Sequence, residues 1–202
     1  MPQAIPHPSF DLHRFYDEEW NEHSQVTAAT HAFLFPSFAE WVEVSAFALQ
    51  HGKKLFFFGN GGSAADAQHL ATELTVRFKA HRKALPALAL TTDTSALTAI
   101  GNDLGFEHIF SRQIEALGRE GDIAIGITTS GKSPNILKAF SQARELGLVT
   151  IGLTGGKGGV NLSGTADILL TVPSETVSRI QEMHITLGQM FCNALEYRLG
   201  LI

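Results

Sequence analysis

The sequence contains a single cysteine, Cys192, among 202 residues, so no disulfide bond can form within one chain. The 15 lysine and arginine residues are outnumbered by 20 aspartate and glutamate residues, and no long basic cluster is present. The electrostatic footprint of nucleic-acid-binding proteins is therefore absent, and an anionic ligand has to be held by local hydrogen-bond donors. No run reaches the roughly 18 apolar residues of a membrane span, and residues 1–10 hold no apolar signal core. We expect a cytoplasmic protein that binds neither nucleic acid nor membrane, with Cys192 buried among its apolar neighbours.

Short apolar runs alternate with segments of helical spacing over most of the chain. The runs cover residues 55–58, 85–90, 123–128, 148–153 and 168–172. Each run is apolar nearly throughout, which is typical of parallel strands that are buried on both faces. With 44% hydrophobic and 17% charged residues, this pattern predicts one α/β domain, a three-layer αβα sandwich around a five-stranded parallel sheet.

The first 52 residues differ from the rest, because two helical patterns follow each other there without a strand. The first covers residues 10–33 and is expected to be broken by Pro36, and the second opens at Ser37 and closes at Gly52. We interpret residues 1–52 as a helical extension that serves oligomerisation, and residues 53–202 as the ligand-binding domain. Further helices are expected over residues 63–79, 93–100, 106–117, 133–147 and 176–199, with a glycine-rich loop over residues 154–164.

Two strand-to-helix turns carry most of the polar chemistry. They cover residues 59–63 and 128–133. Backbone N–H groups beside a helix N-terminus suit a phosphate group. The first turn combines Asn60 with glycines, which allow a sharp turn or the close approach of a ligand. The second turn has four hydroxyl groups, which favour a phosphate site over a plain polar turn; they belong to Thr128, Thr129, Ser130 and Ser133.

Residues 126–133 also match the pattern G-x-x-x-x-G-K-[ST] of a nucleotide-binding P-loop. The context differs, because the apolar run continues through Gly126, where the strand of a P-loop ends. Ser133 and Pro134 fit an N-cap and a first helical residue better than the first turn of a P-loop helix. Nucleotide binding through this segment, with Lys132, is therefore only a third hypothesis for the function.

His69 and Glu73 lie four residues apart in a predicted helix, so their side chains occupy one face of it. The pair suits a divalent metal, or Glu73 can serve as a base beside His69, and a surface ion pair is the plain alternative. Other polar residues have ordinary structural explanations as well. Asn102 and Asp103 fall in a polar turn that is also typical of a helix end, and Gln181 lies on a helix face that can be solvated.

Taken together, four segments resemble the sugar isomerase (SIS) domain family, and most closely its phosphoheptose isomerases. They cover residues 59–69, 101–103, 128–133 and 179–182, within a match over about residues 53–199. The resemblance implies that residues 53–202 form a SIS domain that binds a sugar phosphate. It also implies a homotetrameric aldose–ketose isomerase with shared active sites, which converts sedoheptulose 7-phosphate to D-glycero-D-manno-heptose 7-phosphate, a precursor of lipopolysaccharide.

The same resemblance implies roles for individual residues. Glu73 would be the base that moves a proton between C1 and C2 of the sugar, and zinc would be the metal. The implied substrate contacts are Asn60, Gly61, Gly62, Ser63, Glu73, Asn102, Asp103, Thr128, Thr129, Ser130, Ser133 and Gln181. The implied metal ligands are His69, Glu73, Gln181 and Gln189.

Gln189 departs from the family pattern, since the family has a zinc-binding acid/base histidine at this position. It is the second candidate catalytic residue, but a glutamine transfers no protons at neutral pH, although its carbonyl oxygen can ligate a metal. His184, three residues after Gln181, points in a similar but not identical direction. A related branch of the family lacks the catalytic residues and binds a replication initiator. The alternative hypothesis is therefore a non-catalytic SIS module for a sugar phosphate or a protein, and the presence of His69 and Glu73 argues against it.

Overall fold

The computed structural model describes residues 10–79 and 81–202. The strands in this part are β1 (Leu55–Gly59), β2 (Ala87–Ala89), β3 (Ile123–Ile127), β4 (Val149–Gly155) and β5 (Ile168–Val172). The helices are α1 (Leu12–Phe33), α2 (Phe35–Gln50), α3 (Gly62–Thr75), α4 (Thr94–Asp103), α5 (Ser111–Leu117), α6 (Pro134–Glu145), α7 (Gly156–Leu162) and α8 (Val177–Arg198). None of the described helices alone is long and apolar enough to cross a membrane; α1 and α2 meet that criterion only as a pair, bent by 65°.

The strands form one parallel sheet in the order β2-β1-β3-β4-β5, as the apolar runs predicted. Helices cover both faces, and each face has its own apolar core. On one face α2, α3 and α8 bury Trp41, Leu70 and Phe191. On the other face α5 and α6 bury Ile114 and Phe140. The predicted three-layer αβα sandwich is confirmed, and its parallel strands place all their carboxyl ends at one edge of the sheet.

The two N-terminal helices share the larger core with α8. The ring of Trp41 stacks on that of Phe191 with centroids 3.9 Å apart. The helices separate at Leu34, and Pro36 lies in the first turn of α2, so the prediction that Ser37 opens this helix is wrong. A proline fits there because the first N–H groups of a helix have no partner within it. The boundary between the extension and the ligand-binding domain stays a prediction.

Other element boundaries also differ from the sequence-based prediction. Residues 154–162 are not a loop as predicted, because β4 continues to Gly155 and α7 follows directly; only residues 163–164 of the predicted loop lie outside a helix or strand. The glycines there allow tight packing, since a Cβ on Gly158 would collide with Oγ1 of Thr154. The helix predicted over residues 63–79 ends at Thr75, and the one over residues 106–117 is divided into a 3-10 turn (Phe106–His108) and α5. The strand predicted over residues 85–90 is reduced to the short edge strand β2.

Cys192 is fully buried on α8, as predicted. Burial raises the pKa of its thiol to about 12; the charges of Glu73 and Glu196 add to this shift, and Arg82 opposes it. The thiol is therefore neutral at physiological pH and enclosed in the core, as is typical of a structural cysteine.

Candidate active site

The two predicted ligand turns lie side by side at the carboxyl edge of the sheet. β1 and β3 are adjacent and parallel, with Gly59 opposite Ile127. Asn60 and Thr128 therefore leave the sheet next to each other, and the chain then enters α3 from one turn and α6 from the other. Ligands of parallel α/β sheets bind at this edge. The prediction that both turns share it is confirmed.

Residues 128–133 present hydroxyl groups of which those of Thr129, Ser130 and Ser133 lie on partly or fully exposed residues, whereas Thr128 is only 5% exposed. Oγ1 of Thr128 accepts a hydrogen bond from the N–H of Gly131 at 3.3 Å, and Oγ of Ser130 accepts one from the N–H of Lys132 at 3.3 Å. A hydroxyl that accepts in this way still has its own hydrogen to donate. Ser133 is the N-cap residue of α6, yet its side chain makes no cap bond. Hydroxyl donors beside the positive end of a helix suit a phosphate.

The loop over residues 128–133, here called the phosphate loop, is held in place by hydrogen bonds from β4 and α7. Asn161 on α7 donates to the backbone oxygen of Ser130 at 2.8 Å, and the last residue of β4 donates its N–H to the backbone oxygen of Thr129 at 3.2 Å. Gly131 has a φ of +65°, and a Cβ there would stand 2.5 Å from the backbone oxygen of Gly158. This support was not predicted, because the glycine-rich residues 154–164 were expected to form a loop. The density of glycines directly after a strand was the available signal.

The same loop differs from a nucleotide-binding P-loop, as its context predicted. Gly126 lies inside β3 and not after it. Its lack of a side chain serves packing, because a Cβ there would stand 2.5 Å from the ring of Phe140 on α6. Ser133 as N-cap residue and Pro134 as first residue of α6 are confirmed.

A pair of side-chain amides joins the two turns. Nδ2 of Asn60 donates to Oδ1 of Asn135 at 3.0 Å, and Nδ2 of Asn135 donates to Oδ1 of Asn60 at 2.8 Å. Both residues line an open cleft of about 510 Å³ together with Ser133. Asn135 was not among the predicted site residues. The sequence signal for it was its place in the first turn of α6, directly after the loop.

The first turn brings four of the predicted residues together and buries a fifth. Gly61, with a φ of +55°, and Gly62 are exposed next to Asn60. Nε2 of Gln181, on α8, lies 2.7 Å from the position that a Cβ on Gly62 would occupy. Ser63 is buried, and its N–H donates to the backbone oxygen of Asn60 at 3.0 Å. A contact between the Ser63 side chain and a ligand stays a prediction that this burial does not favour.

Asn102 and Asp103 belong to the last turn of α4 and not to a turn beyond the helix. Nδ2 of Asn102 donates to Oδ1 of Asp103 at 2.7 Å, and both residues are exposed. Within residues 10–79 and 81–202, no hydrogen bond connects this pair to either ligand turn. Its contact with a ligand stays a prediction.

The predicted base lies in a second polar cluster, formed by His69, Glu73 and Gln189 on α3 and α8. Nε2 of His69 is 3.1 Å from Oε1 of Glu73, and Nε2 of Gln189 is 3.0 Å from Nε2 of His69. The side chain of His69 is 51% exposed and that of Glu73 is 22% exposed, so the carboxylate is shielded but accessible. Glu73 lies three turns along α3 from Gly62, a rise of about 16 Å. The cluster and the turns are thus apart within one chain, and their convergence on one ligand stays a prediction.

His69 and Glu73 alone offer two side chains to a divalent metal, so a third protein ligand from this cluster has to be the amide of Gln189. Nε2 of His69 faces both other groups, and one ring nitrogen cannot donate to the carboxylate of Glu73 and accept from Gln189 at once. With the Gln189 amide turned, its oxygen, the His69 nitrogen and the carboxylate would form a set of cation ligands. The described chain holds no group of three or more His, Cys, Asp or Glu side chains suited to a metal. Gln181 lies over Gly62, and no hydrogen bond among the described residues joins it to the cluster.

His184 does not replace the histidine that position 189 lacks. It is fully buried, and within the described part of the chain neither ring nitrogen has a hydrogen bond of normal geometry. Burial lowers its pKa to about 4, against a smaller opposing effect of the Thr154 backbone. The imidazole is therefore neutral at physiological pH and faces the protein interior, unlike the exposed ring of His69.

Asp66 is a second carboxylate on the face of α3 that carries His69 and Glu73. It lies three residues before His69, so the two side chains are neighbours on the helix. Burial raises the pKa of its carboxyl, and His69 partly opposes that shift. Asp66 was not among the predicted site residues, although its spacing of three residues from His69 is a signal in the sequence.

A buried ion pair anchors the end of α3, where Glu73 lies. Nε of Arg82 donates to Oε1 of Glu196 at 2.8 Å, and both side chains are almost fully buried. The Arg82 guanidinium also donates to the backbone oxygens of Glu73 and Leu74, at 2.8 and 2.7 Å. A helix has no N–H groups of its own for the carbonyls of its last turn. Arg82 therefore holds the turn that carries Glu73, a role that sequence analysis did not identify.

Comparison with known proteins places this fold and these residues in a family. The sequence model of the SIS domain family matches residues 21–155 of this chain. The chain is 56% identical over 182 residues to the phosphoheptose isomerase of Paramagnetospirillum magneticum, covering 90% of this chain and 94% of that protein. It is 55% identical over 179 residues to the phosphoheptose isomerase of Geotalea daltonii, covering 89% of this chain and 93% of that protein.

Solved structures agree with the sequence relatives. Phosphoheptose isomerase GmhA from Neisseria gonorrhoeae is 41% identical and superposes with a TM-score of 0.86, over 93% of this chain and 100% of that chain. A phosphoheptose isomerase from Francisella tularensis is 37% identical, with a TM-score of 0.90 and the same coverage. The chain therefore belongs to the SIS domain family, as one of its isomerase enzymes, the phosphoheptose isomerases.

Proposed function

We propose that this enzyme interconverts sedoheptulose 7-phosphate and D-glycero-D-manno-heptose 7-phosphate. The observation that carries the proposal is the contact between His69 and Glu73. It orients the Glu73 carboxylate on α3, the helix that begins at the ligand edge of the sheet. Identities of 50–56% to phosphoheptose isomerases support it. A cytoplasmic location and a role in lipopolysaccharide precursor synthesis are part of the proposal and rest on the sequence resemblance.

The phosphate end of the sugar is bound by the loop over residues 128–133. Ser130 donates its hydroxyl hydrogen to it, the uncapped hydroxyl of Ser133 adds a second donor at the start of α6, and Thr128 is a further donor despite its burial. This anchor is remote from the reacting carbons. Its binding energy is used to position C1 and C2 against the base, which converts affinity into rate.

Glu73 moves the proton between the two carbons. Its carboxylate removes a proton from C1 of the ketose; the electron pair forms the C1–C2 double bond, and the C2 carbonyl oxygen becomes an oxyanion. Glu73 then returns the proton to C2, while the O1 hydrogen moves to O2 and C1 becomes the aldehyde. His69 keeps the carboxylate in place, and the amide of Gln189 can donate a hydrogen bond to the oxyanion but no proton.

The direct test is a coupled assay of the purified protein with sedoheptulose 7-phosphate. Turnover that yields an aldose phosphate supports the proposal. The presence of Gln189 where the family has a histidine favours the alternative, a non-catalytic SIS module for a sugar phosphate or a protein. Binding of the sugar phosphate without turnover would establish that alternative.

We also propose a zinc ion held by His69, Glu73 and the amide oxygen of Gln189; Gln181, whose amide lies over Gly62, would have to turn toward this cluster to be a further ligand. Bound zinc would supply a Lewis acid for the oxyanion. We expect metal analysis to find about one zinc per chain in the purified protein and a marked loss in His69→Ala, because the only imidazole of the set is removed. His13→Ala, at a highly exposed ion pair on α1, is the matched control and is expected to retain the metal. A wild-type protein without zinc, or unchanged zinc in His69→Ala, would contradict this site.

We propose that the chain forms a homotetramer through its N-terminal helices. Large apolar side chains on α1 and α2 are 46–72% exposed; they include Phe15, Tyr16, Trp20, Phe33 and Phe35. Large apolar side chains left exposed in this number are typical of an interface between protein chains.

Light scattering after gel filtration tests the tetramer. Four chains of 21.9 kDa would give a mass of about 88 kDa. We expect the double substitution Phe33→Glu and Phe35→Glu to lower this mass, because it places charges in the proposed interface. Val160→Glu, at an exposed apolar residue of α7, is expected to leave it unchanged. A monomeric wild-type protein would contradict the proposal.

A further inference from the structure

Asn135 is a buried amide at the ligand edge whose partner is a predicted substrate contact. Only 2% of the residue is exposed, although it lies in the first turn of α6 beside Ser133. Its amide and that of Asn60 each donate one hydrogen bond and accept one, at 2.8 and 3.0 Å. Burying an amide without partners is costly, so the pair is held together strongly.

The pairing leaves part of Asn60 free for a ligand. A carboxamide has two N–H donors and two acceptor positions, and the pair uses one of each. Asn60 is half-buried and lines the cleft of about 510 Å³, so its second N–H and its second acceptor position can face that cleft. Asn135 sets the plane of the Asn60 amide. If only one of the two amides were turned over, donor would face donor and acceptor would face acceptor.

The pair also sets the spacing between the two turns. Asn60 starts the turn that leads to α3, and Asn135 follows the hydroxyl-bearing loop at the start of α6. In the proposed function the loop over residues 128–133 binds the phosphate, which leaves the sugar as the part of the substrate for the predicted contact with Asn60. The amide pair is a direct side-chain link between the two turns.

We propose that Asn135 is a positioning residue of the isomerase: it holds the Asn60 amide against the sugar and keeps the sugar turn in register with the phosphate loop. This inference rests on the proposed function. A positioning role differs from a purely structural one in its dependence on Asn60. If Asn135 served only the stability of the fold, its replacement would have the same effect with or without Asn60.

A double-mutant cycle on Asn60 and Asn135 tests the inference. We expect Asn135→Ala to lower kcat/KM for sedoheptulose 7-phosphate about 10-fold in the wild-type background, as the loss of one positioning interaction does. In the Asn60→Ala background the same change is expected to have little further effect, because its partner is already gone. Gln142→Ala removes an amide two turns along the same helix and is expected to leave kcat/KM unchanged.

The same cycle is measured in binding, so that it does not depend on turnover. In the Glu73→Gln background, the Kd of sedoheptulose 7-phosphate is determined by calorimetry for all four combinations. Asn135→Ser is the second variant if Asn135→Ala fails to fold, since serine is too short to span both hydrogen bonds. Thermal unfolding of each protein separates loss of fold from loss of positioning.

Non-additive losses in kcat/KM and in Kd support the positioning role. The role is overturned if the fold-loss of the double variant equals the product of the fold-losses of the two single variants, or if Asn135→Ala shows no loss. Either result overturns it even if the wild-type protein is an active isomerase. A coupled pattern in Kd without wild-type turnover would overturn the proposed function and retain the role of Asn135. Absence of any binding of sedoheptulose 7-phosphate would overturn both.

Discussion

Glu73→Gln is expected to lower the turnover number for sedoheptulose 7-phosphate by about 100- to 10,000-fold, the contribution of a positioned general base. Glutamine has nearly the same shape as glutamate but accepts no proton from carbon. Glu73 is the carboxylate in contact with His69, partly shielded on α3, and the neighbouring amide of Gln189 cannot exchange a proton in its place. The measurement is kcat in the coupled assay.

Binding distinguishes loss of the base from loss of the fold. The Kd of sedoheptulose 7-phosphate is expected to change by no more than a few-fold in Glu73→Gln, because the phosphate loop lies beside the start of α3 and Glu73 lies near its end. Glu115→Gln, at an exposed ion pair on α5, is the matched control and is expected to keep full turnover. Unaltered turnover in Glu73→Gln would remove Glu73 from the mechanism.

Arg82→Ala is expected to lower the free energy of unfolding by about 3–5 kcal/mol, the cost of breaking a buried ion pair from one side. Glu196 would remain in the interior without the guanidinium that neutralises it. The backbone oxygens of Glu73 and Leu74 would also lose their donors. Urea unfolding followed by circular dichroism measures the change.

Arg198→Ala is the matched control for this prediction, because Arg198 pairs with Glu43 at the surface with both side chains more than half exposed. We expect no measurable change in that variant, since solvent screens an exposed pair. A loss in Arg82→Ala no larger than in Arg198→Ala would show that the buried pair is not an anchor for α3. The double variant of Arg82 and Glu196 is expected to lose less than the sum of the single variants.

The sheet and both ligand turns could be predicted because their signals are local. A run such as residues 123–127 is apolar at every position, and burial on both faces requires that composition. Ser133 and Pro134 mark the start of α6 through their own backbone preferences. The four-residue spacing of His69 and Glu73 places them on one helix face wherever that helix packs.

α7 and the start of α2 were predicted wrongly because glycine and proline have more than one use. In residues 156–162 the glycines permit close packing of a helix on Thr154 and on the phosphate loop, whereas glycine density suggested a loop. Pro36 lies within a helix and not between two helices, because the first turn requires no N–H from it. In both cases the surroundings of the residue decide, and they are absent from the local sequence.

The roles of Asn135 and of the Arg82–Glu196 pair could not be predicted from sequence patterns. Asn135 meets Asn60 across 75 positions, and Arg82 meets Glu196 across 114. Nothing in the local sequence of an asparagine or an arginine shows which distant backbone or side chain will complete its hydrogen bonds. Their importance for the site follows only from burial together with those partners.

By itself, the sequence determined the five parallel strands, the hydroxyl-rich loop and the helix that carries His69 and Glu73, since each depends on residues that are neighbours in the chain. Tertiary structure alone decided that His184 is buried and neutral and that two asparagines connect the turns. The physical reason is that hydrogen-bond partners and desolvation are set by packing between distant segments, which no local pattern encodes.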